Sequence, residues 1–556
     1  MKKKHLRKIF KFIIFSLCIV FLKTYNINAQ TDIQAGEVSG TWSSQNSPYR
    51  IFGEISIPDQ ETLTIEPGTN IEFQGHYKFN VQGRLLAIGN VNDSITFTIH
   101  DTTGFSDTSI IGGGWHGFKF DLTPPTNDTS KFIYCKIQYG KAVGNTINEN
   151  AGGAFYVNDF SKLVIKHSNL KNNLALTYGG AIYCINYSSP IISENIFYFN
   201  TVSKYYGGAI YCKDFSSMEI SGNVFSYNYA RLSGAAIYCG DYCTTMIKNN
   251  LITYNSVEPG HSLCHAGGIH SSSWDYNDPT IVNNVICNNS FTGIYESNRA
   301  IKIANNIICN NSGFGIYNGH QLGNGQYVNN TICNNILEAI GCNTLNLKVY
   351  NNILWGNNNE EDSSQIDNWD GELRFVDYNV IQNGYAGEEN LTQNPSLIAP
   401  SEGAGTEYDG VNADWNMQLN SNCINSGNPD TASYYYFEID IAGNPRISGD
   451  NIDIGACEKQ IEGGIFNYYT KSKHHIRTVY PNPCKKYLNL KIDNLDQQEI
   501  RIKIINTFGK IIRIINIRNT EDKYSIQIDV SDLSSGIYFV ELEKNNFLEC
   551  VKFIVK

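Results

Sequence analysis

An internal repeat restricts this chain more than any other feature. Gly152-Gly153-Ala154-Phe155-Tyr156 returns as Gly179-Gly180-Ala181-Ile182-Tyr183-Cys184, as Gly207-Gly208-Ala209-Ile210-Tyr211-Cys212 and as Gly234-Ala235-Ala236-Ile237-Tyr238-Cys239. Weaker copies are Gly267-Gly268-Ile269-His270, Gly293-Ile294-Tyr295 and Gly315-Ile316-Tyr317. A second theme alternates with the first and runs from Glu194-Asn195-Ile196-Phe197 to Asn351-Asn352-Ile353-Leu354. A period of roughly 22 to 34 residues is that of a solenoid. Each unit holds short β-branched and aromatic runs broken by Gly, Asn and Ser, with neither helical apolar spacing nor a leucine ladder. The expectation is an all-β chain that coils, each turn adding a strand to a few parallel sheets about 4.8 Å apart.

Both ends of the repeat region carry further motifs. Ser47-Pro48-Tyr49, Ile55-Ser56-Ile57-Pro58 and Leu63-Thr64-Ile65-Glu66-Pro67-Gly68-Thr69 precede it, continued by Val81-Gln82-Gly83-Arg84-Leu85 and Trp115-His116-Gly117. Asn394-Pro395-Ser396, Ser421 to Gly427, Asp440, Gly443-Asn444-Pro445-Arg446 and Asp453 to Glu458 follow it. With the repeats, these motifs resemble the right-handed parallel β-helix surface proteins that bear GGAI repeats. The resemblance implies a right-handed β-helix over residues 30–459, with a closing segment at about 391–459 that caps the open strand edges of the stack.

Four side-chain columns follow from stacking. Asn195, Asn223, Asn250, Asn284, Asn306, Asn330 and Asn352 fall at one corner. There Asn tolerates left-handed backbone angles, and its amides can hydrogen-bond along the stack. Alternation puts Ile182 and Cys184 on one side of their strand and Tyr183 on the other; Lys213 marks the outer side. Cys184, Cys212 and Cys239 are then interior, and Cys287, Cys309 and Cys333 are expected to form a second internal column. Tyr156, Tyr183, Tyr211, Tyr238, Tyr295 and Tyr317 form an outer column with His270 in line. It is either packing or a stacking platform for sugar rings or a partner protein.

Composition shifts after Glu458. Residues 460–478 read as a linker. Residues 479–556 read as a small β-sandwich of short alternating strands. Tyr480-Pro481-Asn482-Pro483, the Phe508-Gly509-Lys510 turn, Asp532-Leu533-Ser534-Ser535-Gly536-Ile537-Tyr538 and a last strand ending on Lys556 occur in that order. This set resembles the type A sorting domain of type IX secretion cargo. The resemblance implies the type IX secretion machinery as partner, passage across the outer membrane, and a sortase-like peptidase that cuts in the linker and joins the body to surface lipopolysaccharide. It also implies O-glycosylation at Asp-Ser/Thr-apolar tripeptides, with Ser94 and Thr431 as candidate acceptors.

A basic start and an apolar run from Phe12 to Leu22, closed by Ala29, read as a signal peptide over residues 1–29. The run is about half of what a membrane span needs. The formal net charge is −11, and it grows more negative once the basic leader is gone. Such a body disfavours nucleic acid and polyanionic sugars. No motif supports a cofactor, with calcium left open, and a monomer is expected. Asp241, Asp275 and Asp278 show no second carboxylate on a neighbouring turn, which a glycosidase requires. Arg299-Ala300-Ile301-Lys302 matches only a fragment of a lyase motif. His261, His265 and His270 read as loop histidines or as a metal site. The leading expectation is a surface-displayed, non-catalytic binding or adhesive rod for glycan or protein ligands. A polysaccharide lyase or glycoside hydrolase is the alternative, and a structural spacer the third.

Overall fold

The computed structural model describes residues 30–556 except 261–264, 274–278, 359–362, 431–436, 461–475, 494–498, 507–510, 519–522 and 545–546. The signal-peptide reading and most of the linker lie outside the described residues. No helix among the described residues is long and apolar enough to cross a membrane. The chain divides into two compact units, Met1–Glu462 and Gly463–Lys556.

The first unit is a parallel β-helix. Its turns build one sheet of 14 strands and two of 13, every ladder parallel and every strand paired with its counterparts one turn away. The first sheet runs from Thr31–Ile33 to Val380–Ile381, the second from Gly36–Glu37 to Ile366–Asn368, and the third from Gly40–Trp42 to Phe375–Asp377. At the strand spacing of about 4.8 Å, the first sheet is about 60 Å from end to end. The register stacks like on like. Phe155, Ile182, Ile210, Ile237, Ile269, Ile294 and Ile316 occupy one ladder position of the second sheet. All seven are fully buried in the main core, each contributing about 2 kcal/mol of apolar burial.

The paired glycines of the repeat do two jobs. Gly152, Gly179, Gly207 and Gly234 turn the chain at φ values of 69°, 59°, 73° and 61°, open to Gly at no steric cost. At the next position, a Cβ on Gly153 or Gly180 would strike the carbonyl oxygen of Gly180 or Gly208 on the adjacent turn. A short five-stranded sheet, Lys141–Ala142 to Ser256–Val257, precedes these glycines in the earlier turns only. It encloses a small lobe of Ala142, Ala175, Val202, Ala230, Ala235 and Val257.

The asparagine column is a buried amide ladder. Asn195 Nδ2 donates to Asn223 Oδ1 at 3.1 Å and to the Ile165 carbonyl at 2.8 Å, while Asn195 N donates to Asn223 Oδ1 at 2.9 Å. The pattern repeats through Asn250, Asn284, Asn306, Asn330 and Asn352 to Asn379. The left-handed residue is not the ladder residue but the one before it: Glu194, Asn249, Asn283, Asn305, Asn329 and Asn351 have φ between 55° and 58°. A second ladder lies five residues on: Asn173, Asn200, Asn228, Asn255, Asn289, Asn311, Asn335 and Asn357 are joined by the same amide bonds. The two ladders bracket the first sheet and satisfy buried polar groups at both of its corners, where unmet donors would be costly.

The closing segment does not simply cap the end. The stack ends where Leu391 N bonds the Asn379 carbonyl at 2.8 Å. The chain then folds back along the side of the later turns. Asn334, Asn310 and Asn288 donate to the carbonyls of Ser401 (3.0 Å), Gly403 (2.8 Å) and Tyr408 (2.6 Å). Asn305 and Asn329 bond the Ile439 and Asp453 carbonyls at 3.0 Å each. The outer face of the first sheet is apolar there, with Ile307, Ile353 and Val380, and needs a cover.

The second unit is a sandwich of two antiparallel sheets. Ile476–Tyr480, Tyr487–Asp493 and Lys523–Asp529 form one; Ile511–Arg518, Glu499–Asn506, Gly536–Lys544 and Phe547–Val555 form the other. Leu488, Leu490, Ile502, Ile504, Val540 and Phe553 fill the space between them.

Candidate functional site

The tyrosine column lies outside the main core, in register along the second sheet. Ring centroids are 5.4 Å apart for Tyr156–Tyr183, 5.4 Å for Tyr183–Tyr211 and 5.0 Å for Tyr211–Tyr238. His270 continues the row at 4.6 Å from Tyr238, followed by Tyr295, Tyr317 and Trp369. At its head, Lys119 Nζ stands 5.2 Å from the Tyr156 ring centre. The row is not the open platform expected for Tyr183, Tyr211 and Tyr238. Tyr178 and Tyr206, from the corner before the glycines, lie over it at 4.7 Å from Tyr211 and 4.8 Å from Tyr238. Tyr156, Tyr183 and Tyr211 are therefore buried, with 3%, 7% and 6% of their surface exposed. Burial pushes the Tyr211 hydroxyl well above its ordinary range. The covering row was legible as the tyrosines directly before Gly179 and Gly207, in Thr177-Tyr178 and Tyr205-Tyr206. Exposure returns toward the far end, where Tyr295 and Tyr317 are half-buried and Trp369 is exposed.

His270 is part of this packing. Its Nδ1 lies 2.7 Å from Ser233 Oγ, and burial holds its pKa well below the ordinary imidazole value. His261 lies outside the described residues. Among the described residues, no three His, Cys, Asp or Glu side chains converge on a metal position. Asp241 is 3.5 Å from Lys213 in an ion pair, while Asp275 and Asp278 lie outside the described residues.

The two cysteine columns occupy different places. Cys184, Cys212 and Cys239 line the main core. Cys287, Cys309 and Cys333, expected inside as well, face outward, because Ile286, Ile308 and Ile332 take the interior side of the same strands. They are buried only because the closing segment covers them with Leu397, Trp415, Met417 and Cys457.

That covering leaves a cleft of about 520 Å³ between the rod and the closing segment. Trp355, Asn334 and Gln382 come from the rod; Pro395, Glu402 and Gln418 face them from the closing segment. The half-buried Trp355 follows Cys333 in ladder register, so its ring stands on the outer face of the first sheet. Trp415 is held from behind, its Nε1 donating to the Gly410 carbonyl at 3.2 Å. Gln382 Oε1 accepts from Gly356 N at 2.7 Å, leaving the amide nitrogen as the end that can donate outward. Glu402 is exposed and is the only acid lining the cleft among the described residues. The cleft thus presents a half-buried aromatic ring, one carboxylate and the Gln382 amide, while the Asn334 and Gln418 amides already donate to the Ser401 and Leu397 carbonyls. Sequence spacing could not reveal it, because its walls lie tens of residues apart.

In the second unit, Asn482 clamps the last strand: Ile554 N donates to its Oδ1 at 2.8 Å, and its Nδ2 donates to the Lys552 carbonyl at 3.3 Å. Lys556 N donates to the Cys484 carbonyl at 2.8 Å. Tyr480 and Pro481 are exposed and Pro483 is half-exposed. Gly536 opens the strand that pairs with Val555, and Tyr538 Oη donates to the Ser534 carbonyl at 3.0 Å. Gly509 and Thr431 lie outside the described residues, and Ser94 is half-buried.

Two family models match parts of the chain. Residues 126–286 match the right handed beta helix region, and residues 478–556 match the secretion system C-terminal sorting domain. No curated protein matches the chain. The tail marks the protein for the type IX secretion system and export across the outer membrane to the cell surface or the extracellular space.

Proposed function

We propose that this exported β-helix is a non-catalytic binding rod, and that its ligand is an uncharged glycan seated in the cleft between Trp355 and Glu402. The cleft carries the reading. A pyranose ring can stack on the Trp355 face, with hydroxyls donating to Glu402 and accepting from the Gln382 amide. The acidic body disfavours polyanionic sugars, which leaves neutral glycans. A glycoside hydrolase needs two carboxylates about the scissile bond, and Glu402 has no acidic partner in the lining. The half-exposed end of the aromatic row, at Tyr317 and Trp369, offers a second stacking strip on the same rod. The export route supports a further step, in which a sortase-like peptidase cuts within residues 460–478 and leaves the body attached to the surface. Ser94 remains a candidate O-glycosylation acceptor on that body.

A glycan array with the recombinant body, run with and without calcium, tests this reading. Binding to neutral glycans is expected, and Trp355→Ala should weaken it about tenfold, with Glu402→Gln a smaller loss. Unchanged binding by Trp355→Ala overturns the cleft as the site, and no binding to any neutral glycan overturns the function.

A further inference from the structure

The main core holds a group of thiols that the proposed binding function does not use. Cys212 and Cys239 occupy the same ladder position on neighbouring strands of the second sheet, and both are fully buried. Their sulfurs are 3.3 Å apart. Cys243, also fully buried, approaches Cys212 from the corner that follows, and Thr245 Oγ1 lies 3.6 Å from the Cys212 sulfur. No comparable sulfur contact links Cys184 to Cys212, although they too are in register.

We propose that Cys212 and Cys239 are joined by a disulfide in the exported protein, cross-linking two successive turns of the rod. Neighbouring parallel strands set the paired Cα atoms about 4.8 Å apart, inside the span a disulfide bridges. Their sulfurs already face each other across that gap. An exported chain passes through a compartment that oxidises thiols.

The chemistry needs an oxidant, here the disulfide of a thiol–disulfide exchange protein or of a small molecule. The Cys212 thiolate attacks one sulfur of that disulfide; the oxidant's S–S bond breaks, and a mixed disulfide forms as one thiol leaves. The Cys239 thiolate then attacks the Cys212 sulfur and expels the second thiol. The pair gives up two electrons and two protons, and the oxidant is reduced to two thiols. Because both sulfurs are sealed in the folded rod, exchange takes place before these turns close.

The test is peptide mapping of the full chain recovered from the extracellular or surface fraction, alkylated in denaturant without reductant. The expected result is one cross-linked species joining the peptides that hold Cys212 and Cys239, lighter by two hydrogens than the separate pair. Cys243 should be found alkylated. The Cys243→Ser chain should keep the cross-link, and reductant should lower its melting temperature. Alkylation of both Cys212 and Cys239 in the unreduced protein overturns the proposal, as does a Cys212–Cys243 link. If Cys243→Ser fails to fold, the wild-type map decides by itself.

Discussion

The earlier turns, to about residue 257, and the later turns, from about residue 283, solve one problem in two ways. Both carry the first sheet between the same two asparagine ladders. At the corner after the first-sheet strand, the left-handed residue is aromatic in most of the earlier turns, Tyr139, Phe199, Tyr227 and Tyr254, with Asn172 the exception. Tyr227 and Tyr254 stack at 5.3 Å, while Phe199 and Tyr227 stay exposed. In the later turns it is Asn288, Asn310, Asn334 and Asn358. The first three reach out to carbonyls of the closing segment, which hides the outer face of the sheet. A corner that ends in solvent can carry an aromatic ring. A corner that must hold a second chain segment carries a donor matched to a backbone carbonyl. The earlier turns instead spend their extra length on the small fourth sheet and on the doubled tyrosine row, so each half covers a different face of the rod.

Breaking the earlier half should cost most. Tyr211 is buried between Tyr183, Tyr238 and Tyr178. Tyr211→Ala should destabilise the rod by about 3–5 kcal/mol in denaturant unfolding, whereas an open platform predicts almost no loss. The interior Ile column does not rescue it, because the row is a packed layer of its own.

The later half should lose stability as pH rises, whereas burial holds Lys119 and His116 of the earlier half below their ordinary pKa values, which works in the opposite direction. Asp440, Arg446, Asp453 and Glu458 are buried together in the closing segment. Burial, then the charge of Asp453, pushes the Glu458 carboxyl up to about 8. A carboxyl that prefers its proton when folded stabilises most below its unfolded pKa, and that stability is lost as pH rises toward about 8. Docking of the closing segment should therefore weaken between pH 5 and pH 8, by on the order of 3 kcal/mol. Trp415 fluorescence in denaturant melts at several pH values reads this, and Glu458→Gln should flatten the profile. A profile that is already flat in the wild-type chain removes Glu458 as the cause.

Equivalent corners give the smallest and sharpest contrast. Asn310 donates to the carbonyls of Gly403 at 2.8 Å and Gly405 at 3.2 Å. Asn310→Ala should cost about 1–2 kcal/mol and speed hydrogen exchange in the closing segment. Tyr227→Ala at the matching earlier corner should stay within about 0.5 kcal/mol. Equal losses at the two corners would remove the distinction between the halves.

The solenoid was legible because stacking turns repeats chemistry at fixed spacing. The glycine pairs, the first asparagine ladder and the inward isoleucines could all be assigned from period and alternation. The second ladder was equally visible, as the asparagine five residues after each of the first, in Asn195 to Asn200 and Asn223 to Asn228. The sorting domain was legible for another reason, since its motifs occur in a fixed order. The error over Cys287, Cys309 and Cys333 arose where repetition stops helping. Alternation separates two faces of a strand, but only the neighbouring isoleucines say which face is inner.

The sequence by itself determined the coiling, the parallel register, the interior column and the export tail. Each rests on contacts between residues one repeat apart or within one short domain. Only the tertiary structure decided which faces are covered. The closing segment folds back over the cysteine column and leaves the Trp355 cleft. Its contacts join residues tens to more than a hundred positions apart, with no shared period. Their partners are chosen by which apolar surface and which unmet carbonyls remain once the turns have stacked.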